Sequence, residues 1–346
     1  RRCKALLCIL PVALVLSIIL AVAQGAVRID AWTAWKITLA QLPLLEHWLT
    51  PDWSTAHYNI VWAIRLPRVL LGALVGAGLA LAGTGIQALV RNSLADPYIL
   101  GVSSGAAVGA TLVILFGAFG VLGAYALPLA AFLGALGAIV LVFALAQVAG
   151  RIATTRLLLS GIALSLVLGA ITNFIVISAP DNDRIHNALF WMMGSLTGAD
   201  WQRLPIAALA VAAAFLFLLL QARALNLLLM GEETAATLGL NLNLLRKLLV
   251  VIISLLTGVL VAVSGAIGFV GLMIPHVARL LVGPDHKKVL PLSLLLGALF
   301  MIWADVIARL ALAPQEIPIG VVTALAGGPF FIWLLRRNSY SFGGGG

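Results

Sequence analysis

The chain has 346 residues, of which 62% are hydrophobic and 10% charged, and its mean hydropathy is +1.13. A soluble domain carries about 25% charged residues, so this composition excludes a soluble fold and predicts an integral membrane domain. The formal net charge of +9 does not indicate nucleic acid, because the cations lie at the ends of apolar segments, where the positive-inside rule places them.

Backbone that crosses hydrocarbon must be helical or belong to a closed barrel. Continuous apolar runs, without two-residue alternation, select helices. The expected fold class is therefore an all-α polytopic membrane protein with ten transmembrane helices, in a single domain over residues 1–338. Ala5 to Ala23 is the first span, preceded by Arg1, Arg2 and Lys4. Ala21-Val22-Ala23 also fits a signal-peptide cleavage site, but the apolar run exceeds a usual signal core, which favours a retained helix. Cys3 and Cys8 stand too early, and in too apolar a setting, for a disulfide framework. Gln24 to Tyr58 follows outside. Its Trp32, Trp35, Trp48 and Trp53 mark a membrane interface.

The second span covers Val61 to Val90, with Arg65-Leu66-Pro67-Arg68 at its outer end, and a polar turn runs from Arg91 to Pro97. Spans three and four occupy Ile99 to Val148, divided near Gly117 to Tyr125. Span five runs from Leu157 to Ser178, a polar outer segment from Ala179 to Arg203, and span six from Leu204 to Gln221. Span seven ends near Gly265, and span eight is short, from Gly268 to Val282. Span nine runs from Val289 to Leu312 and span ten from Ile319 to Leu335. Ser339 to Gly346 is a Gly-rich tail, expected to be disordered or foreign to the native chain. Ten spans put both termini on one side. Fourteen of the 21 Lys and Arg residues then fall on the side of the termini and seven on the other, as expected if both termini are cytoplasmic.

Between spans six and seven lies Gly231-Glu232-Glu233-Thr234-Ala235-Ala236-Thr237-Leu238-Gly239, which reads as a short cytoplasmic helix. The two glutamates suit the positive end of its dipole, and Gly239 suits the left-handed position beyond its end. Two turns do not persist alone, so the stretch packs against its own chain or docks another subunit. In the second case, bulky charged replacements at Ala235 and Ala236 should uncouple that partner.

No Lys follows a Gly, so the chain has no Gly-x-x-x-x-Gly-Lys loop and no nucleotide site of that kind. Gly101-Val102-Ser103-Ser104-Gly105 matches the nucleophile-elbow pattern but lacks the strand–turn–helix setting it needs. Gly72 with Gly76, and Gly105 with Gly109, predict close helix packing. Gly265, Gly268 and Gly271 predict a tight, irregular connection. Asp305 and Arg309 share a helix face as an intramembrane pair. Arg65, Arg68 and Arg309 together make a cationic set on the outer face, suited to an acidic partner. His276, alone in an apolar helix, is expected to be structural, and no catalytic residue or metal ligand is assigned.

At Arg65–Arg68, Asn92–Pro97, Leu100–Gly105, Gly231–Glu232 with Leu238–Gly239, Gly265–Gly271, Ile274–His276, Asp305 with Ala308–Arg309 and Pro318–Thr323, the sequence resembles the FecCD-type permeases. These are the membrane subunits of type II ABC importers for siderophores, haem and cobalamin. Ser93 departs from the Pro usual in that family. The resemblance implies a homodimer in the bacterial inner membrane, two cytoplasmic ATPase subunits that hold the ATP and Mg²⁺, and a periplasmic substrate-binding protein. It implies no cofactor bound by this chain. It assigns binding-protein docking to Arg65, Arg68 and Arg309, and ATPase coupling to Gly231 through Gly239. Spans five and ten would line the pathway, with no residue in them standing out as a ligand. An iron-containing cargo is expected, haem before ferric siderophore, with cobalamin as the alternative. An ion-coupled secondary transporter is the rival class. It would need ionisable residues at midplane, where this sequence has none.

Overall fold

The computed structural model describes residues 2–25, 27–41, 52–148 and 151–337. Trp48 and the tail 339–346 lie outside these residues. The order is α1 (Arg2–Ala23), α2 (Ala31–Leu39), α3 (Thr55–Tyr58), α4 (Leu66–Val90), α5 (Val102–Phe116), α6 (Ala126–Ala146), α7 (Thr154–Ile177) and α8 (Asn182–Met192). The second half contains α9 (Leu204–Leu220), α10 (Ala222–Leu229), α11 (Glu232–Thr237), α12 (Leu242–Ser264), α13 (Val270–Val282), α14 (His286–Leu310) and α15 (Ile319–Arg337). A two-residue antiparallel ladder pairs Gln147 and Val148 with Ile152 and Arg151, and among the described residues it is the only regular sheet in an otherwise helical chain.

Among the described residues six helices are long and apolar enough to cross a membrane, and α9 with α10 forms a further candidate span bent by 58°. The helices at 102–116, 270–282 and 319–334 are apolar but shorter. Helix α4 is the hub. It is buried along most of its length, because Gly replaces bulk wherever a neighbour crosses it. A Cβ on Gly76 would lie 2.1 Å from the Gly297 carbonyl oxygen of α14, and one on Gly83 would lie 1.7 Å from the Gly271 oxygen of α13. Backbones this close give the dispersion contacts that hold helices together in lipid. The Gly105 and Gly109 face of α5 packs in the same way on Gly134 and Ala130 of α6.

Helix α7 is peripheral and turns Leu159, Leu166, Val167, Phe174 and Ile177 outward. The segment after it, expected as a polar outer stretch, contains a helix. Asp181 accepts hydrogen bonds from the Asp183 and Arg184 N–H groups and so starts α8. The connection between α12 and α13 is irregular, as the glycine spacing predicts. Gly265 and the non-glycine Phe269 both have positive φ, +66° and +69°. Tyr98 pins this turn, its hydroxyl donating to the Ile267 carbonyl at 3.1 Å and accepting from the Ile267 N–H at 3.0 Å. Gln87 Nε2 faces the carbonyls of Ala95, Gly271 and Leu272 at 3.3 Å each. The stretches around Asn92–Pro97, Leu100–Gly105 and Gly265–Gly271, separate in sequence, are thereby joined.

Candidate functional site

The start of α4 places Arg65 and Arg68 one turn apart, and α14 brings Asp305 and Arg309 beside them. Arg68 Nε donates to Asp305 Oδ1 at 2.8 Å, and Arg309 Nε lies 2.9 Å from Asp305 Oδ2. Arg68 Nη1 also reaches both oxygens of Glu316, at 3.0 and 2.9 Å. The structure therefore gathers the three arginines that the sequence singled out, and adds a second acid. Glu316 precedes Pro318 in the turn after α14, and nothing in its neighbours marked it.

The arginines are not an open cationic face. Their exposures are 5% for Arg65, 8% for Arg68 and 7% for Arg309. The physical reason is the end of α1, whose last carbonyls have no partners within the helix and carry its negative dipole end. Arg65 donates to the carbonyls of Val22, Ala23 and Val27, and Arg309 to those of Gln24 and Ala21. Two of the three guanidinium groups thus cap the first helix. This ties the end of α1 to α4 and α14, while the rest of the helix stays largely exposed along one side. Glu316, with its side chain 35% exposed, is the part of the cluster that reaches the surface.

At the other candidate site α11 forms from Glu232 to Thr237, between Gly231 and Gly239. Gly239 has φ +85°. Its N–H bonds to the Ala236 carbonyl at 2.9 Å, and the Leu240 N–H bonds to that of Ala235 at 3.0 Å. This is the paired Schellman arrangement that closes a helix on a left-handed glycine. Glu232 forms an ion pair with Arg246 of α12, and Ala235 is fully buried. These contacts supply the stability that two isolated turns lack. Glu233, Thr234, Ala236 and Thr237 face outward, and Leu238 is 60% exposed. Ala235 therefore serves the fold, which corrects its expected place beside Ala236 on a partner-facing surface.

His276 is half-buried with its ring edge-on to Phe330, centroids 6.0 Å apart. Among the described residues no three His, Cys, Asp or Glu side chains cluster as a metal site would require. Asp285 begins α14. It accepts from the Lys287 N–H at 3.1 Å and from Asn226 Nδ2 at 2.8 Å, while Asn226 Oδ1 accepts from the His286 N–H. The bond from Asn226 holds the Asp285 carboxyl below the usual carboxylate range.

Several helices of membrane-spanning length and apolarity, packed with a buried ion-paired cluster between α4 and α14, describe a polytopic membrane protein. The sequence profile of the FecCD transport family matches residues 13–337, and the chain belongs to that family. It is 47% identical over 277 residues to the "Cobalamin import system permease protein BtuC" of Halobacterium salinarum, covering 80% of this chain and 73% of that protein. It is 46% identical over 296 residues to the "Vitamin B12 import system permease protein BtuC" of Klebsiella pneumoniae, covering 85% and 88%. Among solved structures, an inward-facing metal-chelate type ABC transporter superposes with a TM-score of 0.82 at 32% identity, over 97% of this chain and 100% of that one. The class is therefore the permease of an ABC importer, a membrane transport subunit.

Proposed function

We propose that this chain is the permease subunit of an ATP-driven importer that carries cobalamin into the cytoplasm. The observation that supports cobalamin is the identity of 46–47% to permeases named for its import, extending over most of both chains. Haem, expected first from the sequence, rested on how often the family carries iron, and neither BtuC relative is named for it.

In this reading two copies enclose a central route, each with ten spans. The short helices α5, α13 and α15, together with bent α9–α10, complete the six long ones. Both termini face the cytoplasm in the inner membrane. Two ATPase subunits seat α11 against its outward face, Glu233, Ala236, Thr237 and Leu238. A substrate-binding protein docks at the outer cluster. Because Arg65 and Arg309 are bound to carbonyls of α1 and its end, the acidic partner meets Arg68 first, in competition with Glu316. ATP binding closes the ATPase pair, α11 transmits the closure, and the bundle alternates its opening between the two sides.

The experiment is reconstitution of the chain with its ATPase and a cobalamin-binding protein in liposomes. Uptake of labelled cyanocobalamin driven by internal ATP supports the reading. Uptake of haem with none of cobalamin refutes it.

A further inference from the structure

One groove lies apart from the docking and coupling sites, on the flank of the bundle between α6 and α12. It holds about 380 Å³ and runs from Leu136 to Gln147, with Val140, Phe143, Val251 and Leu255 on its walls. Val140, Val251 and Leu255 are exposed, as are their neighbours Leu141, Leu145 and Leu248. The groove therefore opens sideways, where spans meet the bilayer.

Three observations identify its occupant. The first is shape. At 1.5 Å per residue, the stretch of α6 from Leu136 to Gln147 is about 16 Å long, which is the depth of one leaflet of a ~30 Å hydrocarbon core. A volume of 380 Å³ over that length suits one extended hydrocarbon chain, and not a helix about 10–12 Å across. The second is polarity. The walls are apolar until Gln147, whose exposed carboxamide stands at the end of the bundle that carries α11. The third is charge. A Cβ on Gly258 of α12 would lie 3.5 Å from Ala135 and 3.6 Å from Phe132 of the antiparallel α6. Counting back along α12 from that crossing brings Lys247 level with Phe143 to Ala146, at the polar end of the groove. Among the described residues Lys247 has no ion-pair partner, whereas its neighbour Arg246 is paired with Glu232.

We infer that this groove binds an anionic phospholipid, with one acyl chain between α6 and α12 and the phosphate at Lys247 and Gln147. A lysine stem covers apolar surface while its ammonium reaches the headgroup layer. The ammonium and the carboxamide are both donors to phosphate oxygens, and a cation at the membrane surface favours anionic over neutral lipid. In the topology proposed above this is the cytoplasmic leaflet. The site also adjoins the coupling helix, because Lys247 follows the arginine that holds Glu232 of α11.

The test uses the full chain in detergent, given dioleoylphosphatidylglycerol or dioleoylphosphatidylcholine, with retained lipid counted by native mass spectrometry. The two lipids share their acyl chains, so a difference reports the headgroup. Phosphatidylglycerol should be retained about fivefold over phosphatidylcholine, the attraction expected of one lysine near a membrane surface. Lys247→Gln should bring that ratio to about one, and Lys247→Arg should keep it. Ala144→Trp, on the exposed wall of the groove, should reduce retention of both lipids while the chain melts as wild type. A phosphatidylglycerol carrying a diazirine halfway along one chain should cross-link within residues 136–144 or 251–255.

Equal retention of the two lipids by the wild-type chain overturns the inference, as does a preference that survives Lys247→Gln, or cross-links confined to other helices. Inorganic phosphate that displaces phosphatidylglycerol would make Lys247 a site for free phosphate. In a chain with Cys3 and Cys8 changed to Ser, a disulfide between two copies of Val251→Cys would make this face a protein interface. Either result also overturns it. None of these measurements uses ATP or cargo, so a chain that fails to import cobalamin defeats the proposed function and leaves the lipid site standing.

Discussion

Arg68 donates to Asp305 across 237 positions of sequence, at 2.8 Å and almost wholly out of solvent. The same carboxylate meets Arg309 at 2.9 Å, so one buried acid serves two guanidinium groups. Removing one partner of a buried ion pair costs about 3–5 kcal/mol, because the other charge stays behind unpaired. Asp305→Ala should therefore melt well below wild type in detergent. Glu316→Ala, at a partly exposed pair, should cost about 0–1 kcal/mol. Equal melting of Asp305→Ala and wild type would show that the carboxylate does not hold the cluster.

Arg65 can be separated from a purely electrostatic docking role. Its fork spans three carbonyls near the end of α1, a geometry that a single ammonium does not reproduce. Arg65→Lys keeps the charge and should still loosen α1, read as faster hydrogen exchange over residues 14–25. Unchanged exchange would mean that α1 is held by its apolar packing alone.

The outward face of α11 gives the coupling test. Ala236→Arg with Leu238→Glu leaves Ala235 and the Glu232–Arg246 pair in place, so the membrane domain should melt as wild type. Coupling should fail, with stimulated ATP hydrolysis reduced about tenfold, as expected when hot-spot contacts worth about 1.4 kcal/mol or more are lost. Normal stimulation in this variant would make α11 a loop helix and nothing more. Ala235→Arg should instead destabilise the chain, because that side chain is fully buried.

Close helix crossing can be probed at Gly83. A methyl group there would stand 1.7 Å from the Gly271 oxygen, so α4 and α13 must separate. Overpacking typically costs about 1–3 kcal/mol, and Gly83→Ala should lower the melting temperature clearly. Gly137→Ala, where a Cβ meets nothing within 4 Å, is the matched control and should not.

Asp285 gives a pH dependence with a definite sign. Its folded pKa is depressed, first by the Asn226 hydrogen bond, so its stabilisation is complete above the unfolded value of about 3.9 and is lost as pH falls through the folded one. Asp285→Ala should cost about 1 kcal/mol as a lost helix cap at pH 7. The difference from wild type should shrink in acid. A deficit that grows below pH 4 would contradict this assignment.

Much of the architecture was readable because lipid leaves the backbone few options. Apolar runs gave the positions of the apolar helices to within a few residues, and Gly239 announced its left-handed turn through the residue type that tolerates it. Three features were not readable. Glu316 looks like any loop acid until α14 and α4 bring it to Arg68. The arginines read as surface cations because nothing in sequence says that the end of α1 folds back over them. Thr172 and Asn173 did not stand out in their apolar run, because the cavity they line forms only when Ser103 and Trp191 arrive from other helices.

The most direct measurement is transport itself, in liposomes holding the chain, its ATPase and a binding protein, offered cyanocobalamin, haem and a ferric siderophore separately. ATP-dependent accumulation of cobalamin, at least tenfold above the other two, is the predicted result. Accumulation of haem or siderophore without cobalamin would contradict it.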